Sequence, residues 1–106
     1  MTVSDYHATF EKLIRGARYT RGNAAAEANP WLTSVLDALA AIRKAKRKLF
    51  FIGNGASCSM AAHFAVDFTK NAGIPSFSSS EGALLTCFSN DFSFETAYRE
   101  IVRLRM

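Results

Sequence analysis

Chemistry in this chain could come from three short stretches. The first is Gly53-Asn54-Gly55-Ala56-Ser57, directly after the apolar run Leu49-Phe50-Phe51-Ile52. Glycines there let the backbone turn sharply and approach a ligand without a β-carbon in the way. The helix that follows offers unpaired N–H groups and a partial positive charge suited to phosphate. Asn54 can turn its amide into the crevice, and Ser57 can add a hydroxyl or cap the helix. The spacing is neither GxGxxG nor a Walker motif with its lysine, so a plain strand-to-helix turn is an equal reading of the pentapeptide alone. The second stretch holds His63 and Asp67, four residues apart and so on one helical face. Such a pair can share a divalent metal or work as an acid and a base; the plain alternative is a histidine bonded to its helical neighbour. The third is Ser89-Asn90-Asp91-Phe92, read as a polar turn in which Asp91 caps the next helix or faces the same end of the sheet as the first loop.

The elements that must position these groups follow from apolar spacing. Tyr6, Phe10, Leu13, Ile14 and Ala17 recur at the helical period and predict a helix over 4–19. A weakly patterned link surrounds Gly22 and Asn23. Asn29-Pro30 is a helix-start signal, and Leu32, Val35, Leu36, Leu39 and Ile42 mark a second amphipathic helix. Residues 49–52 form the continuous apolar run of a parallel strand covered on both faces. A helix over 59–72 ends at Gly73, with Pro75 beyond it. A second strand spans 74–78, a short helix or loop 80–88, and a last helix begins near Phe94. Strand, turn, helix, strand is a βαβ unit, so the expected class is α/β with parallel pairing. Two parallel strands are too few for a stable sheet. The expectation is therefore the front part of a longer domain, residues 1–47 forming a helical N-terminal region and 48–106 the start of the core, with contacts between copies as the alternative source of burial. Most of the phenylalanines are expected in that core, and Trp31 as an anchor at a helix start.

Composition narrows the functional classes. The 106 residues are 49% hydrophobic and 21% charged, the balance of a globular chain and not of a disordered one. No apolar run approaches the roughly 20 residues of a membrane helix, and the polar N-terminus is no secretory signal; a cytoplasmic protein is expected. Cys58 and Cys87 lack the number and spacing of a disulfide framework or a zinc knuckle and are read as reduced thiols. The net charge of +4 owes much to Arg43, Lys44, Lys46, Arg47 and Lys48. No aromatic residue interleaves with them, so they read as a solvated, dipole-complementing helix end, and no nucleic-acid partner is expected.

Taken in order, GNGAS (53–57), HFAVDF (63–68) and SNDFSFE (89–95), preceded by two helices, resemble the phosphoheptose isomerases of the sugar isomerase (SIS) domain superfamily, whose pattern runs approximately GNGGS, HFAxEL and GNDFGFE. The resemblance implies an αβα sandwich with a parallel, Rossmann-like sheet, assembled as a homotetramer through the N-terminal helices. It implies interconversion of sedoheptulose 7-phosphate with an aldoheptose 7-phosphate through an enediol, on the route to lipopolysaccharide or capsule heptose. On that pattern Asn54, Gly55, Ala56 and Ser57 line the sugar-phosphate site, and Asp91 touches substrate. His63 and Asp67 are then ligands of a zinc ion, and Asp67 is also the catalytic base. The departures are specific. Asp67 is one methylene shorter than the family's glutamate, Ala56 replaces a glycine, and Asn71 stands where an arginine is frequent. The family's second serine-rich loop and its helix carrying glutamine and histidine are not in this sequence, which implies that the chain by itself is inactive. A SIS-type protein that binds a sugar phosphate or a protein partner without catalysis is the alternative. A dinucleotide-binding module, with Glu81 as the ribose-holding acid, ranks behind both because the glycine spacing is wrong.

Overall fold

The computed structural model describes residues 1–106 and divides into two compact units, Met1–Ala38 and Leu39–Met106. Five helices and two small sheets make a mixed α/β protein. No helix is long and apolar enough to cross a membrane.

In the first unit, helix α1 (Val3–Arg15) starts at a reciprocal cap. The Asp5 N–H donates to Thr2 Oγ1, and the Thr2 N–H donates to Asp5 Oδ2 at 2.8 Å. The Thr2 N–H foremost, and the Thr2 hydroxyl, which also donates to Asp5 Oδ2 at 2.8 Å, hold the Asp5 carboxyl below the usual carboxylate range. The expected extension of this helix to residue 19 does not occur. Gly16 ends it, and the presumed link is a hairpin of β1 (Tyr19–Arg21) and β2 (Ala24–Ala26), antiparallel with Tyr19 opposite Ala26. Gly22, at φ 60°, supplies the positive φ that a two-residue hairpin connection needs. Trp31 anchors the hairpin to the next helix, as a helix-start anchor should: its Nε1 donates to Thr20 O at 3.0 Å and its ring lies 5.3 Å from that of Tyr19.

Helix α2 (Ala28–Lys44) begins earlier than Asn29-Pro30 suggested, so both residues lie in its first turn, where the missing proline N–H has no helical partner to lose. Its basic last turn is closed by the N–H of Arg47 on Ile42 O and that of Lys46 on Arg43 O, with Lys46 left-handed at φ 51°. This is the helix-ending loop that usually uses glycine. One member of the basic cluster is not merely solvated: Lys48 donates to the Arg105 carbonyl at 2.8 Å.

The second unit carries the parallel pair. Strand β3 (Leu49–Phe51) leads through helix α3 (Ala56–Lys70) to strand β4 (Ser76–Ser78), with Leu49 opposite Ser76 and Phe51 opposite Ser78. Gly73, at φ 64°, turns the chain after α3, so that Ile74 is buried and its N–H meets Phe68 O. Thr69 pins α3 to β4: its Oγ1 donates to Ala65 O and accepts from the Ser76 N–H at 3.0 Å. Helices α4 (Gly82–Asp91) and α5 (Phe94–Arg105) complete the unit.

The buried apolar residues are Ala61, Ala65, Ile74, Ala97 and Ile101, all in this second unit. None of the nine phenylalanines is buried, contrary to expectation; Phe64, Phe77, Phe92 and Phe94 are exposed. Periodicity assigned them an apolar face correctly, but two short strands cannot cover that face. Phe51, 5.2 Å from Phe68 and 6.1 Å from Phe64, shows the partial cover available.

Candidate functional site

The elbow after β3 is built on glycine for two separate reasons. A β-carbon at Gly53 would lie 2.1 Å from the Ser57 carbonyl oxygen and 2.7 Å from the Cys58 nitrogen, so the first turn of α3 rests against that bare α-carbon. Gly55, the residue before α3, has φ 59° and ψ −129°, a conformation that side chains strongly oppose. Ser57 and Cys58 donate their N–H groups to Asn54 O and Gly55 O at 3.2 and 2.9 Å. The N–H groups of Asn54, Gly55 and Ala56 are taken up by no protein acceptor. With the positive end of a 15-residue helix behind them, they suit an anionic oxygen. Ser57, the second residue of α3, is exposed, so its hydroxyl is open to a ligand.

Ala56, Met60, His63 and Asp67 fall on one stripe of α3 at 100° per residue. His63 Nε2 lies 3.2 Å from Asp67 Oδ2, with the two side chains 72% and 41% exposed, so the pair is reachable from solvent. Asn71 Nδ2 donates to the other Asp67 oxygen at 3.4 Å. By helical rise, His63 stands about 10 Å from Ala56 along the axis. An anion cradle and an imidazole–carboxylate pair thus share one helix, at its start and near its middle.

Asp91 does not cap the last helix. Residues 89–91 are the final turn of α4 and not a polar turn, and the residue before α5 is Ser93. The Asp91 carboxylate accepts from Cys87 Sγ at 3.5 Å and from Asn90 Nδ2 at 3.3 Å, and its hydrogen bond and charge push the Cys87 thiol upward. Cys58 and Cys87 are both free thiols.

As for zinc, His63 and Asp67 are two donors, and no third histidine, cysteine or carboxylate joins them. A zinc site needs at least three protein ligands. The residues of this chain do not form one by themselves, and no step is derived through a metal.

A cleft of about 440 Å³ lies on α3 and β4, but Asn54, Ser57, His63 and Asp67 do not line it. Apart from Lys70, its polar side chains are already paired: Thr69 with Ser76, Ser78 with Ser80 at 2.7 Å, and Glu81 with Arg105 at 4.0 Å. The elbow is therefore the better candidate.

Two residues with no sequence signal bear on the unit that carries the site. Tyr98, on α5, donates its hydroxyl to the Gly53 carbonyl at 3.1 Å. Glu100 is buried and bound by Arg103 and Arg99 at 2.7 and 3.0 Å. The Arg103 hydrogen bond foremost lowers its carboxyl, against desolvation, which raises it.

Together these features define a mixed α/β protein with a parallel strand–helix–strand unit and an anion-suited elbow at its turn. The chain is similar to the phosphoheptose isomerase of Geobacter metallireducens (strain ATCC 53774 / DSM 7210 / GS-15), with 29% identity over 82 residues, 72% of this chain. It spans 43% of the length of that curated relative. No protein-family model and no solved structure matches the chain.

Proposed function

We propose that this chain supplies the first part of a sugar-phosphate aldose–ketose isomerase of the phosphoheptose type, in a SIS-like αβα sandwich. The observation that carries the reading is the layout of α3. Three free N–H groups and the Ser57 hydroxyl sit at its start; His63 stands about 10 Å further along the helix axis, with the carboxylate of Asp67, one turn beyond, 3.2 Å from its Nε2. A seven-carbon sugar phosphate has its phosphate and its carbonyl at opposite ends, which such spacing suits. The similarity to a phosphoheptose isomerase supports the same class.

In this reading Asn54, Gly55, Ala56 and Ser57 hold the anionic end. Asp67 takes the proton from the carbon beside the carbonyl, and His63 orients its carboxylate. Asp91 reaches substrate from the end of α4. The exposed stripe of Tyr6, Phe10, Leu13 and Ile14 on α1 supports assembly of copies through the N-terminal helices.

Incubating the protein from its complete gene with sedoheptulose 7-phosphate, with and without zinc, tests the proposal. Turnover lost in Asp67→Ala supports it. Binding without turnover assigns the non-catalytic role instead, a role favoured by an Asp67 side chain that is short and already held by His63 and Asn71. Absence of both binding and turnover refutes it.

A further inference from the structure

We infer that Tyr98 is a positioning residue for the elbow, fixing which way the first N–H of the anion cradle points; the inference rests on the function proposed above. The Tyr98 hydroxyl donates to the Gly53 carbonyl at 3.1 Å, across 45 residues of sequence. A trans peptide is planar, so its carbonyl and its N–H point in opposite directions. Tying down the Gly53 oxygen therefore aims the Asn54 N–H the other way, and that N–H has no protein acceptor. A flipped Gly53–Asn54 peptide would put a carbonyl oxygen where the cradle offers a donor, and an anion would be repelled.

The anchor is firm. Ala97 and Ile101, on either side of Tyr98 in α5, are both 0% exposed, and Glu100 is gripped by two arginines. Gly53 is also pressed against the Ser57 carbonyl. The elbow thus touches both the first turn of α3 and a hydroxyl on the best-buried helix of its unit.

Tyr98→Phe removes the hydroxyl and keeps the ring. Two readouts follow: residue-resolved amide exchange, and titration with inorganic phosphate followed by amide shifts. Exchange at Ser57 and Cys58 is expected to accelerate on the order of two- to tenfold, as for loss of one hydrogen bond, and phosphate affinity to fall by a similar factor. The amides of Ala97 and Ile101 should not change. Uniform acceleration through α3 and α5 would mean only general support of the fold and would overturn the inference, as would unchanged exchange at the elbow or unchanged phosphate affinity. If the unaltered protein binds no phosphate, the proposed function falls, while the exchange pattern still decides whether Tyr98 holds the elbow.

Discussion

Gly53→Ala is the most exacting test of the elbow. The added methyl carbon would sit 2.1 Å from Ser57 O, 2.3 Å from Ser57 C and 2.7 Å from Cys58 N, all backbone atoms that cannot swing aside as a side chain could. Contacts under 3.0 Å force a shift, so the first turn of α3 must retreat from Gly53 by about 0.9 Å, and displacements of that size cost on the order of 100-fold where geometry sets the outcome. Overpacking against a fixed backbone puts the stability loss at about 3 kcal/mol. Urea unfolding followed by far-ultraviolet circular dichroism is the suitable assay, because Trp31 lies in the other unit and its fluorescence would report the wrong part. Two controls separate sterics from conformation. At Gly55 a β-carbon meets nothing within 4 Å but φ is 59°, so Gly55→Ala should lose about 1–2 kcal/mol through strain alone. At Gly82 there is neither contact nor positive φ, and Gly82→Ala should gain about 0.4–1 kcal/mol. A Gly53→Ala protein within 0.5 kcal/mol of the parent, a margin typical of harmless surface changes, would refute the packing argument.

Asp67→Ala should lower sugar-phosphate turnover by about 100- to 10,000-fold, the range for a lost general base, with phosphate binding retained in a direct titration. Glu100 has a depressed carboxyl pKa, so its ion pairs contribute stability fully above the ordinary glutamate value of about 4.3, and that contribution fades as pH falls through the lower folded value. Glu100→Gln should therefore be less stable than the parent near neutrality and converge with it in strong acid, as read from melting temperatures across pH. Lys46→Gly should raise stability by about 0.5–1 kcal/mol in the same unfolding assay, because φ 51° penalises a β-carbon and glycine is the usual residue at that position.

The second unit was readable from sequence where local chemistry decides structure. The apolar run 49–52, the glycine elbow and the Gly73 stop each impose one backbone path, and β3, α3 and the turn after it follow within a few residues. His63 and Asp67 meet because a four-residue spacing on a helix brings side chains together. The β1–β2 hairpin has little sequence signature because Ala24-Ala25-Ala26 has no alternating pattern; its cue is Gly22-Asn23, a two-residue connection flanked by nothing obviously strand-like. Ser89-Asn90-Asp91 is turn-like by composition, yet Ser89 bonds back to the Leu85 carbonyl and the helix runs on through Asp91. The Tyr98 tie to Gly53 is a long-range contact with no periodic signature, so only the folded chain reveals it.

Three of the five buried apolar residues are alanines. An interior of single methyl groups hides little hydrocarbon from water, and hydrocarbon hydration is what makes the heat capacity rise on unfolding. Calorimetry of this chain should therefore show a smaller heat-capacity step than the roughly 12–15 cal/mol/K per residue usual for globular proteins. Its free-energy curve should be correspondingly flat, so that cooling weakens the fold little and heating dissolves it over a wide span of temperature.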